Sequence, residues 1–119
     1  MSSVLIVDDS RTMRKMLAGA LSEVGIDVAG NAGNGAEALE LLKTVTPDLI
    51  TLDITMPEMD GLEALKRIKE QNPDQKVLMV SAAGQKEKVL EALKLGALDF
   101  IQKPFEPDLV IKTIQKALA

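Results

Sequence analysis

Several side chains that could take part in chemistry stand at the ends of short apolar runs. The side chains, each with the run that it follows, are Asp8 and Asp9 after Val4–Val7, Asp53 after Leu49–Leu52, Ser81 after Val77–Val80, and Lys103 after Leu98–Gln102. If the runs are parallel strands, their carboxyl ends meet at one edge of the sheet, where ligands bind in open α/β folds. The sequence therefore predicts one site that combines carboxylates, a hydroxyl and an ammonium group.

Three carboxylates held close together repel one another. At about 4 Å and an effective dielectric constant of about 20, two like charges cost about 4 kcal/mol. Without a metal, we therefore expect Asp8, Asp9 or Asp53 to have a pKa above the ~3.9 of a free aspartate. A hard divalent cation would remove the repulsion, and magnesium is suited to one or two carboxylates plus water. With Lys103 and Ser81 to bind anionic oxygens, the set is suited to phosphoryl transfer.

Composition excludes several other kinds of chemistry. The 119 residues include no cysteine and no histidine, which excludes thiol nucleophiles, Ser-His systems and the usual ligands of zinc. The net charge of −4 argues against nucleic acid as a partner. Apolar runs are shorter than the ~18 residues of a membrane span, and the N-terminus lacks the pattern of a signal peptide. We expect a cytoplasmic monomer with no membrane partner.

Strand-like and helix-like segments alternate along the whole chain. The predicted strands are Val4–Val7, Ile26–Ala29, Leu49–Leu52, Val77–Val80 and Leu98–Gln102, and Gly30–Gly35 is predicted to be a loop. A helical pattern follows each strand, with Ser10, Asn34 and Asp60 in position to cap the first three helices. This order predicts an α/β fold: a doubly wound, flavodoxin-like, five-stranded parallel sheet with five flanking helices, forming a single domain over residues 1–119.

The last two predicted helices differ in how they begin. The fourth, which follows Ser81, starts at Gly84-Gln85-Lys86 without a serine, threonine, aspartate or asparagine cap. It therefore lacks the stabilisation of about 1 kcal/mol that such a cap contributes. A marginal helix beside the candidate site is suited to reporting a change there. The last helix has Pro107 in its first turn. Its predicted inward-facing residues are Leu109, Val110, Ile114 and Leu118.

These motifs also resemble those of a known family. The stretches VLIVDDS (4–10), PDLITLDITMPEMDG (47–61), Val80-Ser81-Ala82 and GALDFIQKPF (96–105) resemble the response-regulator receiver domain. Within that family, the chain is similar to stand-alone chemotaxis regulators of the CheY type. The resemblance extends over the entire chain, and its key positions occur in one fixed order.

The resemblance implies a role for each candidate residue. Asp53 would accept phosphate from a histidine kinase. Asp9 and Asp53 would coordinate Mg²⁺, for which Mn²⁺ can substitute, with help from the Thr55 backbone carbonyl, while Asp8 would act mainly through water. Ser81 and Lys103 would bind the phosphoryl oxygens.

The resemblance also implies how the signal leaves the site. Ser81 and Phe100 would form the switch, although Phe100 lacks the hydroxyl of the tyrosine found in many members. The face made by the fourth helix, the fifth strand and the last helix would bind an output protein, such as the flagellar motor switch, and a phosphatase is a further expected partner. A cis peptide bond is expected between Lys103 and Pro104, where the chain must reverse tightly.

Two other functions stay open at this stage. The chain could be a receiver domain that belongs to a larger DNA-binding or enzymatic regulator, although no output domain is expected in these 119 residues. It could instead be a magnesium-dependent phosphatase that acts on an external substrate. Haloacid-dehalogenase-like phosphatases have a second acid two residues after the nucleophile, and Thr55 stands at that position. We therefore expect a phosphate acceptor rather than an enzyme with an external substrate.

Overall fold

The computed structural model describes residues 2–119, in which five strands alternate with five helices. The strands are β1 (Ser3–Val7), β2 (Asp27–Ala32), β3 (Leu49–Asp53), β4 (Lys76–Ser81) and β5 (Asp99–Gln102). The helices are α1 (Arg11–Glu23), α2 (Gly35–Leu41), α3 (Gly61–Gln71), α4 (Lys86–Lys94) and α5 (Pro107–Leu118). All paired strands are parallel, in the order β2-β1-β3-β4-β5. The predicted doubly wound parallel sheet is therefore confirmed.

Both faces of the sheet are covered, which explains the nearly continuous apolar runs in its central strands. On one face, Leu5, Ile50 and Met79 contribute to a core shared with α2, α3 and α4. On the other face, Ile6 and Leu78 contribute to a core shared with α1 and α5. Because β1, β3 and β4 are packed from both sides, their carboxyl ends form a rigid base for the loops that follow.

The second strand differs from its prediction. Ile26 lies outside β2, and Gly30–Ala32, which was predicted to be part of a loop, belongs to the strand. Its pairing with β1 shifts by one residue, from Val4 opposite Val28 to Leu5 opposite Gly30. After this irregularity, residues with weak strand propensity continue as an edge strand. Their pairing with β1 outweighs the local amino-acid composition.

The predicted caps of the first three helices are confirmed. The side chains of Ser10, Asn34 and Asp60 each accept a hydrogen bond from a backbone N–H three residues further on, at 3.2, 2.9 and 2.9 Å. The second helix is the shortest of the five described helices and ends at Leu41. The caps fix where each loop of the carboxyl edge returns to regular structure.

The last helix corrects one prediction about the core. Val110 and Ile114 are buried as expected, but Leu109 is 54% exposed. Val110, Ile111 and Ile114 define the buried face of α5, and Leu109 lies about 200° around the helix from Ile111, which turns it outward. None of the helices in residues 2–119 combines the length and apolar character that crossing a membrane requires.

Candidate functional site

The carboxyl ends of four strands meet at one edge of the sheet, as the sequence predicted. Asp8 directly follows β1, and Asp53 is the last residue of the adjacent strand β3. Ser81 ends β4, and Lys103 directly follows β5. The register aligns them, with pairs Val7–Leu52, Asp53–Val80 and Ser81–Gln102.

Lys103 lies between two of the carboxylates. Its Nζ is 3.0 Å from Asp8 Oδ2 and 3.5 Å from Asp53 Oδ2. The backbone supports this position, since Lys103 N–H donates to the Ser81 carbonyl at 2.7 Å. The peptide bond between Lys103 and Pro104 is cis, as expected from the resemblance.

Asp53 is 5% exposed, and its carboxylate sits in a strongly perturbed environment. Burial is the largest of the effects that together raise its pKa to about 6, because desolvation disfavours the charged form. The Asp8 carboxylate raises it further, the Lys103 ammonium lowers it, and Asp9 makes the smallest contribution. A raised pKa was expected, but the expected cause, mutual repulsion, is secondary to burial.

For the pKa of Lys103, neighbouring charges outweigh burial. Burial alone would lower this pKa, but the carboxylates of Asp8 and Asp53 outweigh burial, so the pKa is raised above 10.5. The lysine is therefore fully charged at neutral pH. It supplies one fixed positive charge to a pocket that holds several carboxylates.

The acidic residues have the oxygen donors that a hard cation needs. Asp8, Asp9 and Asp53 each offer one carboxylate oxygen, and these oxygens lie within 4.8 Å of one another. Asp8 Oδ1 accepts a hydrogen bond from Ser10 N–H at 2.9 Å, but buried Asp8 Oδ2 accepts none within residues 2–119, despite its closeness to Lys103. Three carboxylates this close together, with one ammonium group beside them, form an all-oxygen donor set that fits Mg²⁺.

The main chain of Asp8 is held by residues that the sequence did not single out. Arg14 Nη1 donates to the Asp8 carbonyl at 2.7 Å, and Arg14 Nε donates to Asn31 Oδ1 at 3.0 Å. Asp8 N–H donates to the Ala32 carbonyl at 3.0 Å. Both β2 residues lie in the stretch that was predicted to be a loop. The extension of β2 therefore helps to fix the acidic pair.

The loop after Asp53 depends on a close backbone approach. Gly61 N–H donates to the Ile54 carbonyl at 2.7 Å. A Cβ atom at Gly61 would lie 2.7 Å from Ile54 Cα and would also collide with the Asp53 carbonyl oxygen. Only glycine fits there without moving the backbone that carries the Asp53 carboxylate.

The side chain of Gln85 connects two loops of the site. Its Nε2 donates to Thr55 Oγ1 at 2.5 Å, and its Oε1 accepts from Ala82 N–H at 2.6 Å. Gln85 immediately precedes α4, and in the described part of the chain this helix has no side-chain cap, as predicted. The sequence showed the missing cap but gave no sign of the contact with Thr55, thirty residues away.

Phe100 lies on β5 and is 41% exposed. It is paired with Met79 across the sheet. Together with Leu90 and Leu93 of α4, it lines a mostly apolar cavity of about 330 Å³ that reaches Ser81. The predicted switch pair, Ser81 and Phe100, therefore borders one continuous cavity.

Residues 4–115 match the response regulator receiver domain family. The chain belongs to this family, and is thus a signalling domain of response regulators. It is similar over nearly its full length to chemotaxis regulators. It is 50% identical over 113 residues to the chemotaxis protein CheY of Thermotoga maritima, covering 95% of this chain and 94% of that protein. It is 49% identical to the chemotaxis protein CheY of Bacillus subtilis, covering 97% and 96%.

Solved structures agree with this assignment. The CheX–CheY–BeF₃–Mg complex from Borrelia burgdorferi contains a chain that is 36% identical, with a TM-score of 0.93, and the match covers 99% of this chain and 90% of that one. NtrX from Brucella abortus is 37% identical, with a TM-score of 0.93, and here the match covers 99% of this chain but 27% of that one. Similar receiver domains therefore occur both in short chains and within longer ones.

Proposed function

We propose that the protein is phosphorylated on Asp53 by a histidine kinase in a reaction that needs Mg²⁺. The observation that carries this proposal is the placement of Asp53. It is a buried carboxylate at the end of a central strand, 3.5 Å from the Lys103 ammonium and grouped with two further carboxylates. With a pKa of about 6, Asp53 is mostly ionised at neutral pH and available as a nucleophile.

In the proposed reaction, an Asp53 carboxylate oxygen forms a bond to phosphorus. The bond from phosphorus to the histidine nitrogen of the kinase breaks, and that nitrogen keeps the electron pair. Lys103 and the Ser81 hydroxyl bind the phosphoryl oxygens, which carry the negative charge in such a transition state. The buried base of the site holds the Asp53 carboxylate still during the attack.

A metal site in the same pocket follows from the donor set. Asp9, Asp53 and the Thr55 backbone carbonyl would hold Mg²⁺, for which Mn²⁺ can substitute, and Asp8 would contribute mainly through water. Mg²⁺, when bound, supplies positive charge beside the phosphoryl oxygens. The close grouping of three carboxylates, with the Lys103 ammonium as their one ion-pair partner among the described residues, supports this assignment.

We propose that the output is binding to another protein, in chemotaxis, with the flagellar motor switch as the target. Ser81 and Phe100 border the same cavity, and so a change at Ser81 can reach the part of the output surface that α4 and β5 form. Exposed Leu90 and Leu109 give this surface the apolar character of a docking site. The relatives named as chemotaxis proteins support the cellular process. The complex of CheX with a similar chain makes a CheX-like protein a candidate partner.

The alternative of a phosphatase with an external substrate has less support. Thr55, at the position of the required second acid, bears a hydroxyl that is engaged with Gln85. Multiple turnovers of a generic phosphate ester would overturn the preference for an acceptor. A receiver that acts within a larger regulator would use the same site, and differs only in its output.

Phosphotransfer from a panel of purified histidine kinases tests the proposal. We expect a cognate kinase to lose its label rapidly to the wild-type protein and to keep it with Asp53→Asn. The matched control is Asp74→Asn, an exposed aspartate remote from the site, which should accept phosphate normally. A wild-type protein that takes label from none of the kinases of its source organism would contradict the proposed phosphorylation. Normal chemotaxis in a strain that lacks the gene would contradict the chemotaxis assignment.

A further inference from the structure

Gln85 is placed to control the phosphate acceptor without belonging to the set of residues that would bind phosphate. Its carboxamide joins the loop after β3 to the loop after β4. One end is hydrogen-bonded to Thr55, two residues past Asp53, and the other to Ala82, the residue after Ser81. The two bonds, at 2.5 and 2.6 Å, tie together the two segments on either side of the pocket.

The hydrogen bond to Ala82 occupies the backbone N–H that directly follows Ser81. Asp53 is paired with Val80 in the sheet, so the Ala82 N–H lies just beyond the acceptor on the neighbouring strand, directly after the Ser81 hydroxyl. A backbone N–H at such a place stabilises negative charge that develops on a phosphoryl oxygen. In this structure, that donor is satisfied by Gln85 Oε1 instead.

The position of Gln85 also links this bond to the fourth helix. Gln85 immediately precedes Lys86, the first residue of α4, and this helix has no side-chain cap within residues 2–119. Its side chain is directed to the site loops instead of to its own helix. Displacing the carboxamide would therefore remove the side-chain hydrogen bonds that connect the start of α4 to the two loops.

We propose that Gln85 is an internal competitor of the phosphoryl group. Its carboxamide oxygen occupies the Ala82 N–H until a phosphoryl oxygen replaces it, and this exchange slows phosphorylation and releases the start of α4. The proposal rests on the proposed function, because it assumes that Asp53 is the acceptor. Gln85 would then limit the rate of Asp53 phosphorylation. It would also pass the signal to α4, because its side chain is bonded to the site loops and its backbone precedes the helix.

The test uses acetyl phosphate as the donor, with Mg²⁺ present. An Asp53 oxygen forms the new bond to phosphorus, the bond from phosphorus to the acetate oxygen breaks, and acetate leaves with the electron pair. We expect Gln85→Ala to be phosphorylated roughly 2- to 10-fold faster than the wild type, the range that corresponds to losing one competing hydrogen bond. The matched control, Gln115→Ala, alters an exposed glutamine on α5, outside the site, and should react at the wild-type rate.

A double-mutant cycle separates this role from a merely structural one. Thr55→Val removes the partner that holds the other end of the carboxamide, and should weaken the competition. In the Gln85→Ala background, Thr55→Val should have less effect on the rate than it has in the wild type, because the link is already broken. Fully additive effects would show that the two side chains do not act together and would overturn the proposal.

Hydrogen exchange at the Ala82 amide gives a readout that does not depend on phosphorylation. We expect Gln85→Ala to speed exchange of this amide, while Gln115→Ala leaves it unchanged. Unchanged exchange in Gln85→Ala, or an unchanged or lower rate of phosphorylation, overturns the proposal. If the wild type itself is not labelled on Asp53, the proposed function fails. If the wild type is labelled and Gln85→Ala behaves like it, only the inference about Gln85 fails.

Discussion

The raised pKa of Asp53 predicts that removing its charge stabilises the metal-free protein. In the folded state this pKa is about 6, compared with 3.8 for the ordinary group. Between those two pH values, the folded protein binds more protons than the unfolded protein. The ionised carboxylate therefore destabilises the fold at neutral pH, and the penalty fades as the pH falls through about 6.

The size of the effect follows from the shift. At about 1.4 kcal/mol per pKa unit, the shift sets an upper limit of about 3 kcal/mol. Solvent screening at the mouth of the pocket, where Lys103 is partly exposed, reduces the expected gain for Asp53→Asn to about 1–2 kcal/mol. For a chain of this length, that gain raises the melting temperature by roughly 4–8 °C.

The assay is thermal unfolding of the wild type and Asp53→Asn in EDTA, from pH 7.5 down to pH 4. We expect the variant to melt higher at pH 7.5 and the difference to disappear near pH 4. Asp74→Asn, which changes an exposed aspartate, should match the wild type throughout. A variant that is no more stable at neutral pH, or a gain that persists undiminished at pH 4, would refute the reasoning.

Three further changes test other parts of the account. Gly61→Ala should lower the free energy of unfolding by at least about 2 kcal/mol, measured by urea denaturation, because its Cβ would collide with the backbone at Asp53; wild-type stability would contradict the close approach. Thr51→Val should raise that free energy by about 1 kcal/mol, because the buried Thr51 hydroxyl has no hydrogen-bond partner in residues 2–119, and a loss would indicate an unseen partner. Magnesium at ~100 times its dissociation constant should stabilise the wild type by about 2.7 kcal/mol and Asp9→Ala much less, as followed by melting curves; equal shifts would exclude Asp9 as a ligand.

The strand ends could be predicted from the sequence because their signals are local. An apolar run that ends in Asp53 or Ser81 shows both the strand and the group it carries, and parallel topology then brings the ends together. The same local logic failed at Gly30–Ala32, where pairing with β1 makes a strand out of residues typical of a loop. Local composition cannot show pairing across the sheet.

The supporting contacts of the site were missed for a related reason. Arg14 contacts the Asp8 carbonyl and Asn31, and Gln85 contacts Thr55, thirty residues away. Both side chains look like ordinary exposed helix-end or helix-face residues in the sequence. Their roles depend on loop geometry that follows only from the assembled sheet. The same holds for the cause of the Asp53 pKa, since burial depends on how the whole fold covers the site.

The most direct test of the central claim is to locate the phosphoryl group after reaction with acetyl phosphate. The protein is incubated with the donor, with and without Mg²⁺, and borohydride then reduces the acyl phosphate to homoserine with release of phosphate, so that peptide mapping by mass spectrometry shows which residue carried it. We predict one phosphoryl group per chain, on Asp53, that forms only with the metal and is absent from Asp53→Asn. Modification of a different residue, or equal labelling of Asp53→Asn, would contradict the account.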